Sequence, residues 1–204
     1  MDSPIGLTTG PVILTVPKCL YNFGTVSMKK LFWIISLGLL WILPKGGYAM
    51  NLQLTSPAFS HEGAIPLQYT CQGQDLSPAL NWNGAPPKTA ALALIVDDPD
   101  APVGTWIHWV LFNIPATTTS LAAGISPQEK LPDGSLQGLN DFQKVGYGGP
   151  CPPPGGPHRY FFKLYALDAS LNLPPKATKA QLLDAMKGHV LTETQLMGTY
   201  RAAH

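Results

Sequence analysis

Charge is scarce in this chain. Asp, Glu, Lys and Arg make up 12% of the 204 residues, 13 basic against 12 acidic, for a formal net charge of +1. Residues 50–204 carry nine Lys and Arg against eleven Asp and Glu, and neither sign forms a block. A chain without a basic stripe has no footprint for phosphodiester backbones, which excludes nucleic acid as a partner. The sharper catalytic signatures are missing too: there is no Gly-x-Ser-x-Gly elbow, His-Glu-x-x-His, Cys-x-x-Cys, Gly-x-Gly-x-x-Gly or P-loop. Two histidines and an aspartate could hold a metal in principle, but their spacing is no metal signature, so no metal and no other cofactor is expected. Without internal repeats or a low-complexity linker, residues 50–204 read as one domain.

Long apolar runs are also absent. A spanning helix needs roughly 20 apolar residues, whereas the run from Leu31 to Leu43 is interrupted by Pro44 and Lys45. It follows the positive Met28-Lys29-Lys30 and leads to Gly47-Tyr48-Ala49, with small residues at the positions that signal peptidases read. Residues 28–49 are therefore expected to be a signal peptide cut after Ala49, and residues 1–27 a non-native or disordered extension. Lys45 leaves an uncleaved tether as the alternative. The expectation is export, with a periplasmic or secreted domain over 50–204. Of three cysteines, Cys71 and Cys151 lie in that domain. In an oxidising compartment they are expected to form one disulfide, two thiols being the alternative.

What the chain does have is short apolar runs with abundant turn chemistry. Leu52 to Thr55, Ala79 to Trp82, Ala91 to Val96, Trp106 to Ile114 and Arg159 to Leu167 read as strands. Asn83-Gly84-Ala85-Pro86-Pro87 and Leu131-Pro132-Asp133-Gly134 read as turns between them. The class is mainly β, a β-sandwich. Helix is expected only late. Thr178-Lys179-Ala180-Gln181 fits a capping box, with Leu182, Leu183, Met186 and Val190 behind it at helical spacing. A second helical turn or two is expected from about Leu191 to Met197.

Three segments could carry chemistry. Asp97-Asp98-Pro99-Asp100-Ala101-Pro102 is a stiff acidic corner, which could equally be a turn capping its own amides. Side chains alternate along a strand. Trp106 and His108 are thus expected on one face, with Val110 and Phe112 after them. His158 and Tyr160 share a face above Phe162 and Leu164, while Arg159 points the other way. The loop before them, Gly148-Gly149-Pro150-Cys151-Pro152-Pro153-Pro154-Gly155-Gly156-Pro157, can join neither a ladder nor a helix interior and is a shaped wall. Together they suggest a small polar pocket on an apolar floor.

Asp98-Pro99-Asp100-Ala101-Pro102, then Trp106-x-His108-Trp109, then Gly-Pro-Cys-Pro-Pro with His158-Arg159-Tyr160, resemble the phosphatidylethanolamine-binding protein family, in particular its bacterial Raf kinase inhibitor-like branch. Tyr69-Thr70-Cys71-x-Gly73 and Ser77-Pro78-x-Leu80-x-Trp82 resemble that branch as well, and the likeness runs from Leu52 to Tyr200. The resemblance implies a Greek-key sandwich with short C-terminal helices and one anion-accepting pocket. Its residues would be Asp98, Asp100, Pro102, Trp106, His108, Gly149, the amide of Cys151, His158 and Tyr160. The leading expectation is a non-enzymatic exported protein that binds a small phosphate- or phosphoethanolamine-like anion. A protein inhibitor of a protease or kinase is the second reading, and a hydrolase using the His/Asp pocket the third. Only Val103, Gly104 and Thr105 separate the acidic corner from Trp106, shorter than in eukaryotic members, so kinase inhibition is not carried over.

Overall fold

The computed structural model describes residues 51–203. The expected signal peptide, its cleavage site and the extension before it lie outside the described residues. Within them the chain is mainly β, as expected, and all strand pairing between named elements is antiparallel.

Two sheets face each other. The small one joins β1 (Gln53–Thr55), β2 (Leu80–Asn83) and β5 (Ser120–Leu121). The large one runs β6-β4-β3-β7-β8, with β3 spanning Ala91–Asp98, β4 Trp106–Pro115, β6 Leu136–Gln137, β7 His158–Leu167 and β8 Val190–Tyr200. The spatial order β7-β3-β4-β6 is that of a Greek key, the fourth strand returning beside the first. Leu54, Leu80, Trp82 and Leu121 from the small sheet pack against Leu92, Leu94, Trp109, Phe162 and Leu164 from the large one. The far face of the large sheet carries a second core, where Ala93, Ile95, Val110 and Phe112 meet Leu182 of α1 (Lys179–Ala185) and its C-cap Met186. With both faces covered, every residue of β3 is buried, which is why it reads as an unbroken apolar run.

The capping box forms as read. The Thr178 hydroxyl accepts from the Gln181 amide, and the Gln181 side chain accepts from the Thr178 amide. The expected second helical segment does not form; Leu191 to Met197 lies inside β8, so α1 is the single α-helix near the C-terminus among the described residues. The strand wins because β8 pairs with β7 from Val190 to Tyr200, a ladder no isolated helical turn can match. Leu196, Gly198 and Tyr200 are buried at period two, whereas Leu191, Glu193 and Gln195 are exposed, which hid the alternation in the sequence.

A second correction concerns β4. Trp109 pairs with Val96 but Ile107 with Asp97, so His108 is the extra residue of a β-bulge. The bulge keeps His108 and Trp109 on the face of the inter-sheet core and sends Val110 and Phe112 to the helix side, where strict alternation would have kept them with His108. Bulges re-aim side chains in this way.

Candidate functional site

The C-terminal end of β3 and the N-terminal ends of β4 and β7 lie together at one end of the sandwich. A half-open cavity of about 340 Å³ sits there. Of the nine pocket residues named from the sequence, Asp98, Pro102, Trp106, His108, Cys151 and His158 line it. Tyr160 lies behind the floor, fully buried, its ring edge-on to His108 with centroids 5.2 Å apart. Asp100 and Gly149 do not reach the cavity. Ala101, Val103, Phe142, Pro152 and Pro153 complete the lining.

The acidic corner is not acidic towards the cavity. Its three carboxylates are dispersed by strand alternation and each is committed to its own partner. Asp97, fully buried on the helix side, holds Lys163 and Lys179 at 2.9 and 2.6 Å. Asp100 forms a two-pronged pair with the Arg159 guanidinium at 2.7 and 2.9 Å and also accepts the Arg159 amide. Those bonds hold the Asp100 carboxyl at about 2 against an ordinary 3.8. Asp98 alone lines the cavity, and both its oxygens are engaged: Oδ1 accepts the Asp100 amide, Oδ2 accepts Nδ1–H of His158, each at 2.8 Å. The aspartate thereby fixes the ring of His158 and leaves Nε2 as its uncommitted nitrogen.

His108 is oriented by backbone. Its Nδ1–H donates to the Gly148 carbonyl at 2.6 Å, and the Gly148 amide donates back to the His108 carbonyl at 2.9 Å. The bulge makes this possible by releasing His108 from the β3 ladder. Burial pushes the His108 imidazole below its ordinary 6.5, against the opposing pull of the Gly148 carbonyl and the Asp98 charge. The neutral ring offers a lone pair at Nε2, an acceptor rather than a donor.

Gly149 has a structural task. Its amide donates to Asp75 Oδ1 at 2.6 Å rather than facing a ligand, and a Cβ there would press on the Tyr69 carbonyl and lie 2.9 Å from Thr70 Cα. The adjacent Cys151 makes the expected disulfide with Cys71, across 80 residues of sequence, and Cys71 N–H also donates to the Pro150 carbonyl. The proline wall is thus tied to the turn after the short 3₁₀ segment Leu67–Tyr69. From Pro150 to Pro154 only Cys151 has an amide proton, and no acceptor for it is found among the described residues. Two side-chain donors are buried without a hydrogen-bond partner among the described residues: Trp106 Nε1–H and the Tyr160 hydroxyl. Burial first, then the Asp98 charge, raises the Tyr160 pKa far above that of a free phenol.

Phe142 was not legible as a wall. It stands between β6 and β7 in a loop without periodicity, and its one signal is being one of two aromatics there, with Tyr147. In the structure its ring packs edge-on to Trp106 and His108, at 5.4 Å from each.

A family model described as phosphatidylethanolamine-binding protein matches residues 55–201. A UPF0098 protein of Methanothermobacter thermautotrophicus is 53% identical over 150 residues, which cover 74% of this chain and 99% of that one. A UPF0098 protein of Aquifex aeolicus is 45% identical over 154 residues, covering 74% and 88%. Among solved structures, the phosphatidylethanolamine-binding protein homolog CT736 of Chlamydia trachomatis superposes with a TM-score of 0.69 at 42% identity, covering 75% of this chain and 99% of that one. Escherichia coli YbcL, described as a member of the mammalian PEBP family, gives 0.70 at 33% identity, with the same coverage.

Proposed function

Because the chain belongs to the phosphatidylethanolamine-binding protein family, we propose that it binds a small phosphoryl-type anion in the cavity between Asp98, His108 and His158, as a binding protein rather than an enzyme. The observation that carries the reading is the pair of imidazoles, His108 and His158, that line one cavity with each Nδ1 held by a partner, which leaves both Nε2 atoms uncommitted.

The two imidazoles take different parts. His158, with Nδ1 tied to Asp98, donates to a phosphoryl oxygen from Nε2 when the ring carries a second proton. His108, kept neutral by burial, accepts through Nε2 and so favours a ligand that brings its own proton, a monoprotonated phosphoryl group. Asp98 orients and does not meet the anion. Neither Cys151 nor Asp98 is free to act as a nucleophile, since Cys151 is in the disulfide and both oxygens of Asp98 accept hydrogen bonds. Titration calorimetry with inorganic phosphate tests the reading. Saturable one-to-one binding is expected, and its absence at millimolar phosphate removes the pocket from the account.

We propose export as well, with the mature chain starting at Met50. Among the described residues no helix is long and apolar enough to cross a membrane. Amino-terminal sequencing of the protein from its native cell envelope should read from Met50, and a full-length species confined to the cytoplasm refutes it.

A further inference from the structure

The cavity is larger and more apolar than a phosphoryl group requires. At about 340 Å³ it falls in the range of pockets that enclose whole small molecules, roughly 300–1,000 Å³. Its ionisable lining side chains are confined to Asp98, His108 and His158. The remaining wall is Pro102, Val103, Phe142, Pro152 and Pro153 with the Trp106 ring. Val103 is 77% exposed at the mouth, an apolar side chain held in water at the entrance.

The chemistry of that wall limits what the ligand carries beyond its phosphoryl group. No Lys or Arg lines the cavity, so a second phosphate or a carboxylate finds no counter-charge. No lining side chain bears a hydroxyl or an amide, so a sugar finds no partners. An ammonium finds no free carboxylate: both oxygens of Asp98 are engaged, and Asp100 is held by Arg159. What remains is an apolar group. Trp106 and Phe142 stand edge to face, interplanar angle 71°, opposite a wall of proline rings. A flat ring suits that slot better than a branched chain.

Resting on the phosphoryl reading above, we infer that the ligand class is an aryl phosphomonoester, its phosphoryl group at the histidine end and its ring between Phe142, Trp106 and the prolines. Burying about 60 Å² of ring at roughly 25 cal/mol per Å² corresponds to about ten-fold in affinity.

The test is a set of calorimetric titrations of the intact protein with inorganic phosphate, phosphoethanolamine and phenyl phosphate. Phenyl phosphate is expected to bind at least about ten-fold more tightly than either of the others. The Phe142→Ala variant should lower that preference to about three-fold or less. Val103→Ser, at an exposed site where folding is not at issue, should lower it in the same direction by a smaller factor. Phosphate and phenyl phosphate binding with equal affinity, or phosphoethanolamine binding most tightly, overturns the aryl assignment and leaves the phosphoryl site standing. Binding of none of the three overturns both.

Discussion

Replacing His158 by alanine and Asp98 by asparagine, singly and together, isolates the unit on which phosphoryl binding is proposed to depend. The link between them is a 2.8 Å bond from Nδ1–H to Oδ2, with side-chain exposures of 13% and 4%. His158→Ala removes a hydrogen bond to a charged ligand, worth about 1.5–3 kcal/mol, or about 10- to 150-fold in phosphate affinity. It also strands Asp98 Oδ2 in a buried site, which costs roughly 1–3 kcal/mol of stability. In a domain of this size that lowers Tm by several degrees, so binding is to be measured well below the transition. Asp98→Asn leaves the imidazole in place but turns one of the two accepting oxygens into a donating NH2, so that His158 Nδ1–H and the Asp100 amide compete for the one that remains, and a loss of similar size is expected. Because the aspartate acts through the histidine, the double variant should bind no more than about three-fold worse than the weaker single variant. Calorimetry of the four proteins with inorganic phosphate closes the cycle. Wild-type affinity in His158→Ala refutes the site, and additive losses refute the claim that Asp98 only orients the ring.

Three further outcomes follow from the same geometry. Cys71→Ser/Cys151→Ser should unfold at lower denaturant concentration by about 4–5 kcal/mol in the chain-entropy model for a closure of 80 residues; an unchanged midpoint would show that the proline wall holds without the bridge. Gly149→Ala should lose about 1–3 kcal/mol in thermal or chemical unfolding, since its Cβ meets backbone of Tyr69 and Thr70 rather than open space; a neutral result would return this glycine to the ligand. Because burial depresses the His108 pKa below 6.5, the unfolded chain takes up that proton first, so wild-type stability is full above that pH and falls as the pH drops below it. Tm measured against pH should show that loss flattened in His108→Gln, while a separate loss belonging to Asp100 sets in only from about pH 3.8 down towards 2; identical profiles for wild type and His108→Gln refute the buried-neutral assignment.

Much of this was legible from residue order, and what was not has a common cause. The strands over Ala91 to Val96, Trp106 to Ile114 and Arg159 to Leu167 were readable because each is bounded by proline or glycine and filled with apolar residues. The shared face of His158 and Tyr160 was readable because β7 pairs with β8 without a shift near them. His108 illustrates the opposite case. Its side belongs to a bulge, and a bulge is a property of two strands: nothing within Trp106 to Phe112 announces that Val96 and Asp97 will face Trp109 and Ile107. Without that extra residue, His108 would not meet Gly148 as it does, with both a ring bond and a main-chain bond.

The acidic corner makes the same point about charge. Asp97, Asp98 and Asp100 look like a patch that would repel an anion when counted along the chain. Alternation sends Asp97 to the two lysines on the helix side and Asp98 to His158, while Asp100 meets Arg159. Lys179, at the start of α1 on the far face of the large sheet, is bound at 2.6 Å to Asp97, the residue next to Asp98. The charge a ligand meets is therefore not the sum over the motif. It is what remains after each carboxylate has found its cation or its amide, and at this cavity that remainder is two oriented imidazoles with their Nε2 atoms uncommitted.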